Sequence, residues 1–167
     1  MLEMLKVGDK APAFELEDQH GNRVSLGDFA GRKLLVYFFP RASTPGCTKL
    51  SCAVSDSLGP LKDAGVWVVG ISPDPPEAQL QFDKQYNLGF PLLSDPQHMT
   101  ASAYGAWGEK PMAGNPLVGL VRSIVGKKKM GIIRSAILID EQGKLLAVAY
   151  NVSPADTVPL VWHTLNV

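Results

Sequence analysis

Two cysteines, Cys47 and Cys52, are the residues of this chain whose types and spacing best suit covalent chemistry. An apolar run precedes them and ends at Pro40, and a helix is predicted to begin at Thr44 or Pro45. Threonine is a good N-cap residue, and proline suits the first helical position because its missing N–H would be unused there. Cys47 then lies in the first helical turn, where free N–H groups and the helix dipole favour the nucleophilic thiolate.

Apolar patterning predicts the elements that must position this pair. The predicted strands are an N-terminal β-hairpin over 14–16 and 23–26, buried strands over 33–39 and 66–72, a short strand and turn over 90–95, and a second hairpin over 132–139 and 145–150. The predicted helices are the cysteine helix, which ends by Leu58 because Gly59-Pro60 interrupts it, and helices over 77–86, 98–104 and 154–165. Trp67 and Trp162 are assigned to the core. This order favours a layered α/β sandwich.

The bulk composition suits a single domain covering residues 1–167. The chain is 46% hydrophobic and 19% charged, and its formal net charge of zero argues against nucleic acid or acidic lipid as partners. Because no segment approaches the roughly 18 apolar residues of a membrane span, and the N-terminus lacks the apolar stretch of a signal peptide, we expect a cytoplasmic protein. In a reducing cytosol, a close cysteine pair is more often catalytic or metal-binding than structural.

Residues 40–48, Pro-Arg-Ala-Ser-Thr-Pro-Gly-Cys-Thr, resemble the active-site motif of the peroxiredoxins. The cysteine five positions after Cys47 is similar to the peroxiredoxin Q, or bacterioferritin comigratory protein, subfamily. Residues 131–140 resemble the family's arginine-bearing strand, here with Arg134. The resemblance implies a thioredoxin-like three-layer α/β sandwich with an N-terminal β-hairpin. It also implies a thiol peroxidase that reduces hydrogen peroxide and organic hydroperoxides.

The same resemblance assigns roles to individual side chains. Cys47 would attack the peroxide and become a sulfenic acid, which Cys52 would resolve to an intramolecular disulfide. The Thr44 hydroxyl would bind the peroxide, Arg134 would hold thiolate and peroxide oxygen together, and Pro40 would shield the pocket from water.

The residue types themselves predict further roles at this site. The N–H groups of Gly46 and Cys47 are candidate oxyanion donors. As an N-cap, the Thr44 side chain would accept a backbone N–H. Arg134 is a charge inside an apolar strand that needs a partner, and its alternative role is a salt bridge on a solvated strand face.

Helix geometry predicts a conformational change if the two cysteines join. Residues five apart on an intact helix have Cα atoms roughly 8–9 Å apart and point about 140° away from each other. A disulfide needs Cα atoms within about 7 Å, so residues 46–55 are predicted to remodel on oxidation. The alternative for Cys52 is a small buried hydrophobic side chain.

The resemblance implies thioredoxin, or a similar dithiol protein, as the electron donor. It implies no metal or other cofactor, and the three histidines show no ligand spacing with the cysteines. The alternatives to a peroxidase are a disulfide oxidoreductase, a copper-binding assembly factor and a non-catalytic binding module. A disulfide oxidoreductase would require a Cys-x-x-Cys motif. A copper-binding assembly factor would require a distant ligand histidine and a membrane anchor, and a binding module would require an unreactive Cys47.

Residues 113–126 depart from the family pattern and resemble an insertion. The segment is apolar enough to pack on its own domain, and a subunit interface or a lid over the peroxide pocket are the alternatives. An intramolecular resolving cysteine permits a monomer, as the subfamily often is, whereas the insertion leaves a dimer open.

Overall fold

Residues 4–109 and 130–165 are described by a computed structural model of the chain. Within these residues the strands are β1 Glu15–Glu17, β2 Arg23–Ser25, β3 Lys33–Phe38, β4 Val66–Ser72, β5 Leu92–Ser94, β6 Trp107–Glu109, β7 Met130–Ile132, β8 Ser135–Ile139 and β9 Leu145–Tyr150. The α-helices are α1 Pro45–Asp56, α2 Leu58–Asp63, α3 Pro76–Tyr86, α4 Met99–Ala103 and α5 Thr157–Leu165. Short 3-10 helices cover Leu26–Phe29 and Pro154–Asp156.

The central sheet has seven strands in the order β2-β1-β5-β4-β3-β8-β9, and β6 pairs with β7 in a separate ribbon. Strand β3 lies between β4, which is parallel to it, and β8, which is antiparallel. The side chains of Leu34 to Phe39 are fully buried because both faces of the sheet are covered. Odd-numbered side chains of this run face α1, α2, α3 and α5, and even-numbered ones face α4 and the N-terminal segment. These three layers confirm the predicted α/β sandwich, with the predicted hairpin β1–β2 at one edge.

Strand register brings the two chemically important segments to the same end of the sheet. Phe38, the last residue of β3, pairs with Ser135, the first residue of β8. The loop that leads to Cys47 leaves this end of β3, and Arg134 directly precedes Ser135.

The predicted strand over 132–139 is two strands, and Arg134 lies in the connection between them. Strand β7 pairs with β6, whereas β8 pairs with β3 and β9. The chain therefore changes pairing partners at Ile133 and Arg134, and the prediction that Arg134 lies inside a strand is wrong. Two hydrogen bonds fix this connection: the Val152 N–H donates to the Arg134 carbonyl (2.9 Å), and the Ser135 hydroxyl donates to the Ile133 carbonyl (2.7 Å).

The cysteine helix also differs in its ending from the prediction. Helix α1 ends at Asp56, and Ser57, with φ −100° and ψ 2°, separates it from α2. Gly59 and Pro60 lie inside α2 instead of interrupting the first helix. Proline is tolerated there because N–H groups in the first turn of a helix have no intrahelical acceptor.

Trp67 is 38% exposed, so its assignment to the core is wrong. The Arg32 guanidinium lies 4.7 Å from its ring centroid and the Lys62 ammonium 5.9 Å, and such cation–π contacts are compatible with a solvent-facing ring. Trp162 is half-buried and packs against the edge of the core.

The predicted insertion at 113–126 lies outside the described residues. In the parts of the chain that the structure describes, none of the helices has the length and apolar character needed to cross a membrane.

Hydrogen bonds of the Gln19 side chain link the turn of the N-terminal hairpin to α3 and to the segment that enters β5. This side chain is 6% exposed. The amide nitrogen donates to the Phe90 carbonyl (2.9 Å) and the Asp83 carboxylate (3.0 Å), while the amide oxygen accepts the Leu92 N–H (2.9 Å). This side chain therefore satisfies two backbone groups at the entrance to β5.

We predict that Gln19→Leu lowers the free energy of unfolding by about 2–4 kcal/mol, because the Phe90 carbonyl and Leu92 N–H would stay buried without partners. Urea unfolding measures the change. The exposed residue Gln142 provides a control, since Gln142→Leu should change stability by less than about 0.5 kcal/mol. A loss below about 1 kcal/mol for Gln19→Leu would contradict the prediction.

Candidate active site

Cys47 is the third residue of α1 and is 1% exposed. The Arg134 Nη2 group donates a hydrogen bond to its Sγ atom at 3.4 Å. The sulfur therefore contacts a guanidinium and belongs to the first turn of a helix, and both a nearby cation and a helix N-terminus favour a negative charge. The separation along the chain is 87 residues, so the fold and not local sequence creates this contact.

Gly46 gives the guanidinium room to reach the sulfur. A Cβ atom at this position would lie 2.9 Å from Arg134 Nη2, closer than van der Waals contact allows. Arg134 contacts Cys47 through Nη2, at one end of the guanidinium. The Nε group of the same side chain is buried and has no hydrogen-bond partner among the described residues.

Thr44 is the N-cap residue of α1 by its backbone only. Its φ of −81° and ψ of 154° are extended, and its carbonyl accepts the Thr48 N–H at 2.8 Å. The side chain makes no capping hydrogen bond among the described residues; the hydroxyl donates instead to the Arg41 carbonyl at 2.9 Å. The predicted side-chain cap is therefore wrong. Ser43 has a left-handed φ of 64°, which turns the loop back and brings the Arg41 carbonyl within reach of the hydroxyl.

Pro40 lies half-buried where the chain leaves β3. The preceding residue still follows the strand, since the Phe39 N–H donates to the Ile71 carbonyl at 3.0 Å. Proline has no N–H to continue this ladder, so the chain is free to turn into the cysteine loop.

A buried hydroxyl pair beneath α1 was missed in the sequence. The Tyr37 hydroxyl and the Ser51 hydroxyl lie 2.9 Å apart, and both side chains are fully buried. Burial raises the pKa of Tyr37, an effect that the Ser51 hydrogen bond partly offsets, so the phenol stays neutral. Ser51 lies between the two cysteines, and the pair therefore ties this part of the helix to β3. The available signal was a tyrosine within an otherwise apolar central strand.

Cys52 is a half-buried free thiol on the same uninterrupted helix as Cys47. Burial raises the pKa of Cys52, and the negative charge of Asp56, four residues later, raises it further. In this conformation both influences therefore favour the protonated thiol of Cys52. Among the described residues, no group of three or more His, Cys, Asp or Glu side chains could hold a metal ion.

The AhpC/TSA family model matches residues 7–148 of the chain. The chain belongs to the AhpC/TSA family. Peroxiredoxin Bcp of Escherichia coli is 46% identical over 141 residues, which cover 84% of this chain and 83% of that protein.

Solved structures of AhpC/TSA relatives show the same fold. Peroxidoxin BcpB of Mycobacterium tuberculosis has a TM-score of 0.80 at 31% identity and covers 98% of this chain and 97% of that one. The Xanthomonas campestris bacterioferritin comigratory protein, studied for its alkyl peroxide reduction activity, has a TM-score of 0.79 at 27% identity, with 92% and 90% covered. The predicted thioredoxin-like fold and the predicted peroxidase, an oxidoreductase, are confirmed by these relatives.

Of the predicted site residues, the structure brings Arg134 into contact with Cys47, and Gly46 leaves room for the guanidinium. Thr44 and Pro40 lie on the loop that enters the same helix, and Cys52 lies further along it.

We predict that Gly46→Ala slows the reaction of Cys47 with iodoacetamide at neutral pH by about fivefold or more. The new methyl group displaces the guanidinium from the sulfur, and a cation near a thiolate contributes on the order of 1 kcal/mol even in water. The flexible end of Arg134 can move aside, so the fold itself is not disturbed.

The matched control is Gly59→Ala, in the neighbouring helix α2, where a Cβ would meet no described atom within 4 Å. Both variants should be as stable as the parent or more so, because alanine is favoured over glycine in helices by about 0.5–1 kcal/mol. Equal alkylation rates for the two variants would contradict the role given to Gly46.

Proposed function

We propose that the protein is a peroxidase in which Cys47 is the peroxidatic nucleophile and Cys52 the resolving thiol, with thioredoxin or a similar dithiol protein as reductant. The observation that carries the proposal is the hydrogen bond from Arg134 Nη2 to Cys47 Sγ, 3.4 Å long, at the start of a helix. A buried thiol needs such a setting to react as a thiolate.

In the first step, the Cys47 thiolate attacks one oxygen of ROOH. The sulfur–oxygen bond forms as the oxygen–oxygen bond breaks, the leaving oxygen takes a proton and departs as ROH, and a sulfenic acid remains on Cys47. Arg134 is suited to stabilise both the thiolate and the charge that develops on the leaving oxygen, since its guanidinium presents several donors in one plane.

Groups from four residues complete the proposed pocket. The Thr44 hydroxyl binds the peroxide, and the N–H groups of Gly46 and Cys47 are further donors for the oxygen that becomes negative. Pro40 contributes an apolar, donor-free surface at the entrance and limits competing water.

In the second step, Cys52 attacks the sulfenic sulfur, water leaves and a Cys47–Cys52 disulfide forms. Both residues lie on one continuous helix, where ideal geometry keeps their Cα atoms roughly 8–9 Å apart. The helix must therefore unwind locally. Side-chain hydrogen bonds oppose this, among them Ser51 with Tyr37 (2.9 Å) and the Ser55 hydroxyl to the Leu88 carbonyl (2.7 Å). Unwinding would also remove the burial that raises the pKa of Cys52.

Reduction of the disulfide needs two electrons from an external dithiol, which thiol–disulfide exchange supplies without any metal or organic cofactor. Organic hydroperoxides are included as substrates because the related Xanthomonas campestris protein is described for alkyl peroxide reduction.

The test is the intact mass of fully reduced protein after one equivalent of hydrogen peroxide. We expect a loss of about 2 mass units, which corresponds to an internal disulfide. Cys52→Ser should instead gain about 16 or 32 mass units, since the sulfenic acid would have no resolving partner. An unchanged mass within seconds would overturn the proposed peroxidase chemistry, and activity in an insulin-reduction assay would then favour a disulfide oxidoreductase.

We also predict that amide-exchange protection of residues 46–55 falls in the oxidised protein, because a helix cannot hold this disulfide. Exchange is measured by mass spectrometry on the reduced and oxidised forms. Residues 157–165 of helix α5 are the internal control and should keep their protection. Matching protection of 46–55 in both forms would contradict the proposed unwinding.

A further inference from the structure

The peptide group between Arg41 and Ala42 is held from both sides. Its carbonyl accepts the hydroxyl proton of Thr44 at 2.9 Å, and its N–H donates to Asp74 Oδ2 at 2.7 Å. The two ends of a trans peptide point in opposite directions from one rigid plane. A carboxylate that fixes the N–H therefore also fixes the direction of the carbonyl, and with it the acceptor that orients Thr44.

Asp74 is itself held by groups that extend into the core. The Ser72 hydroxyl donates to the same Oδ2 atom at 2.7 Å, and Ser72 is 1% exposed at the end of β4. The amide nitrogen of Gln79, a fully buried residue of α3, donates to the Ser72 hydroxyl at 2.8 Å and to the Leu93 carbonyl at 3.1 Å. A continuous series of hydrogen bonds thus runs from α3 to the loop in front of Cys47.

We propose that Asp74 is a positioning residue for the peroxidase reaction, which acts through the 41–42 peptide to orient the Thr44 hydroxyl. This inference rests on the proposed function, in which Thr44 binds the peroxide. A hydroxyl group has one proton, and that of Thr44 is committed to the Arg41 carbonyl. The Thr44 oxygen therefore offers lone pairs, and it binds a peroxide as the acceptor of the peroxide O–H.

The loop depends on this external support because of its own backbone conformation. Ser43 adopts a left-handed φ of 64°, which is unfavourable for a residue other than glycine. Without Asp74 the 41–42 peptide loses its outer partner, and the turn that presents Thr44 can relax. Hydrogen bonds in series also strengthen one another, so the carboxylate makes the Arg41 carbonyl a better acceptor.

The loss of the Asp74 charge and the loss of its hydrogen bonds have different effects. Removal of a carboxylate takes away a negative charge, and this cannot by itself make a thiolate elsewhere in the fold less favourable. A slower reaction with peroxide after removal of Asp74 therefore has to come from lost positioning.

The experiment compares two reactions of Cys47, with hydrogen peroxide by stopped-flow fluorescence and with iodoacetamide, which does not need an oriented peroxide. Asp74→Ala should lower the rate constant with hydrogen peroxide by about tenfold or more and change alkylation by less than about twofold. Asp74→Asn should restore the peroxide rate to within about threefold of the parent, because an amide oxygen can accept both hydrogen bonds.

Asp140 provides the matched control. Its carboxylate accepts the N–H groups of Gln142 and Lys144 (both 2.9 Å) in a turn at the opposite end of the sheet. Asp140→Ala should leave the peroxide rate unchanged. Ser72→Ala provides a second variant if Asp74→Ala does not fold, and it should give a smaller loss of the same selective kind. An equal fall in both reactions of Asp74→Ala would overturn the proposal, since it would indicate general damage to the site.

Thr44→Val tests whether Asp74 acts through Thr44. The Asp74→Ala change should cost no more than about a further twofold in a Thr44→Val background, because residues that act as a unit are not additive. If the losses of rate caused by Asp74→Ala and Thr44→Val multiply in the double variant, the proposed connection between Asp74 and Thr44 is overturned. If Asp74→Ala reacts with peroxide at the parent rate while Thr44→Val reacts more slowly, the positioning role of Asp74 is overturned and the proposed function stays intact. A normal rate in Thr44→Val would overturn the peroxide-binding role of Thr44 itself.

Discussion

The Arg134 Nη2 atom lies 3.4 Å from the buried Cys47 sulfur, although the two residues are 87 positions apart in the chain. This contact requires the segments that carry them to meet at the same end of the sheet. The antiparallel pairing of β3 with β8 meets this requirement, because Phe38 and Ser135 are partners in the ladder. Strand β3, buried from Leu34 to Phe38, supplies the rigidity, and the helix that follows it has Cys47 in its first turn, where N–H groups lack intrahelical acceptors. Gly46 then makes the final approach of Arg134 sterically possible.

Sequence patterns predicted the parts of this arrangement that are local. The apolar strand, the helix that begins at Pro45 and the position of Cys47 in its first turn all depend on neighbouring residues. The break in the strand at Arg134 could not be predicted, because it depends on an exchange of pairing partners with distant strands. The assignment of Trp67 was wrong for a similar reason: cations from two other segments of the chain, at Arg32 and Lys62, make its exposed position favourable.

Polar contacts inside the fold were the least predictable features. A capping role for the Thr44 side chain followed from its residue type, but the conformation of Ser43 redirects the hydroxyl to Arg41. The hydroxyl of Tyr37 gave little warning of its link to Ser51, since tyrosine is common in apolar strands. In the proposed mechanism, helix α1 must stay folded to activate Cys47 and must open to let Cys52 reach it.

Because β6 and β7 pair with each other, the position of Arg134 does not depend on the number of residues between these two strands. Glu109 pairs with Met130, and the Ile133 N–H donates to the Ala106 carbonyl at 2.7 Å, so both ends of the intervening stretch are clamped together. The pairing of these ends holds Arg134 in place whatever the number of residues between them. The length of this stretch can therefore differ while the contact between Arg134 and Cys47 stays the same.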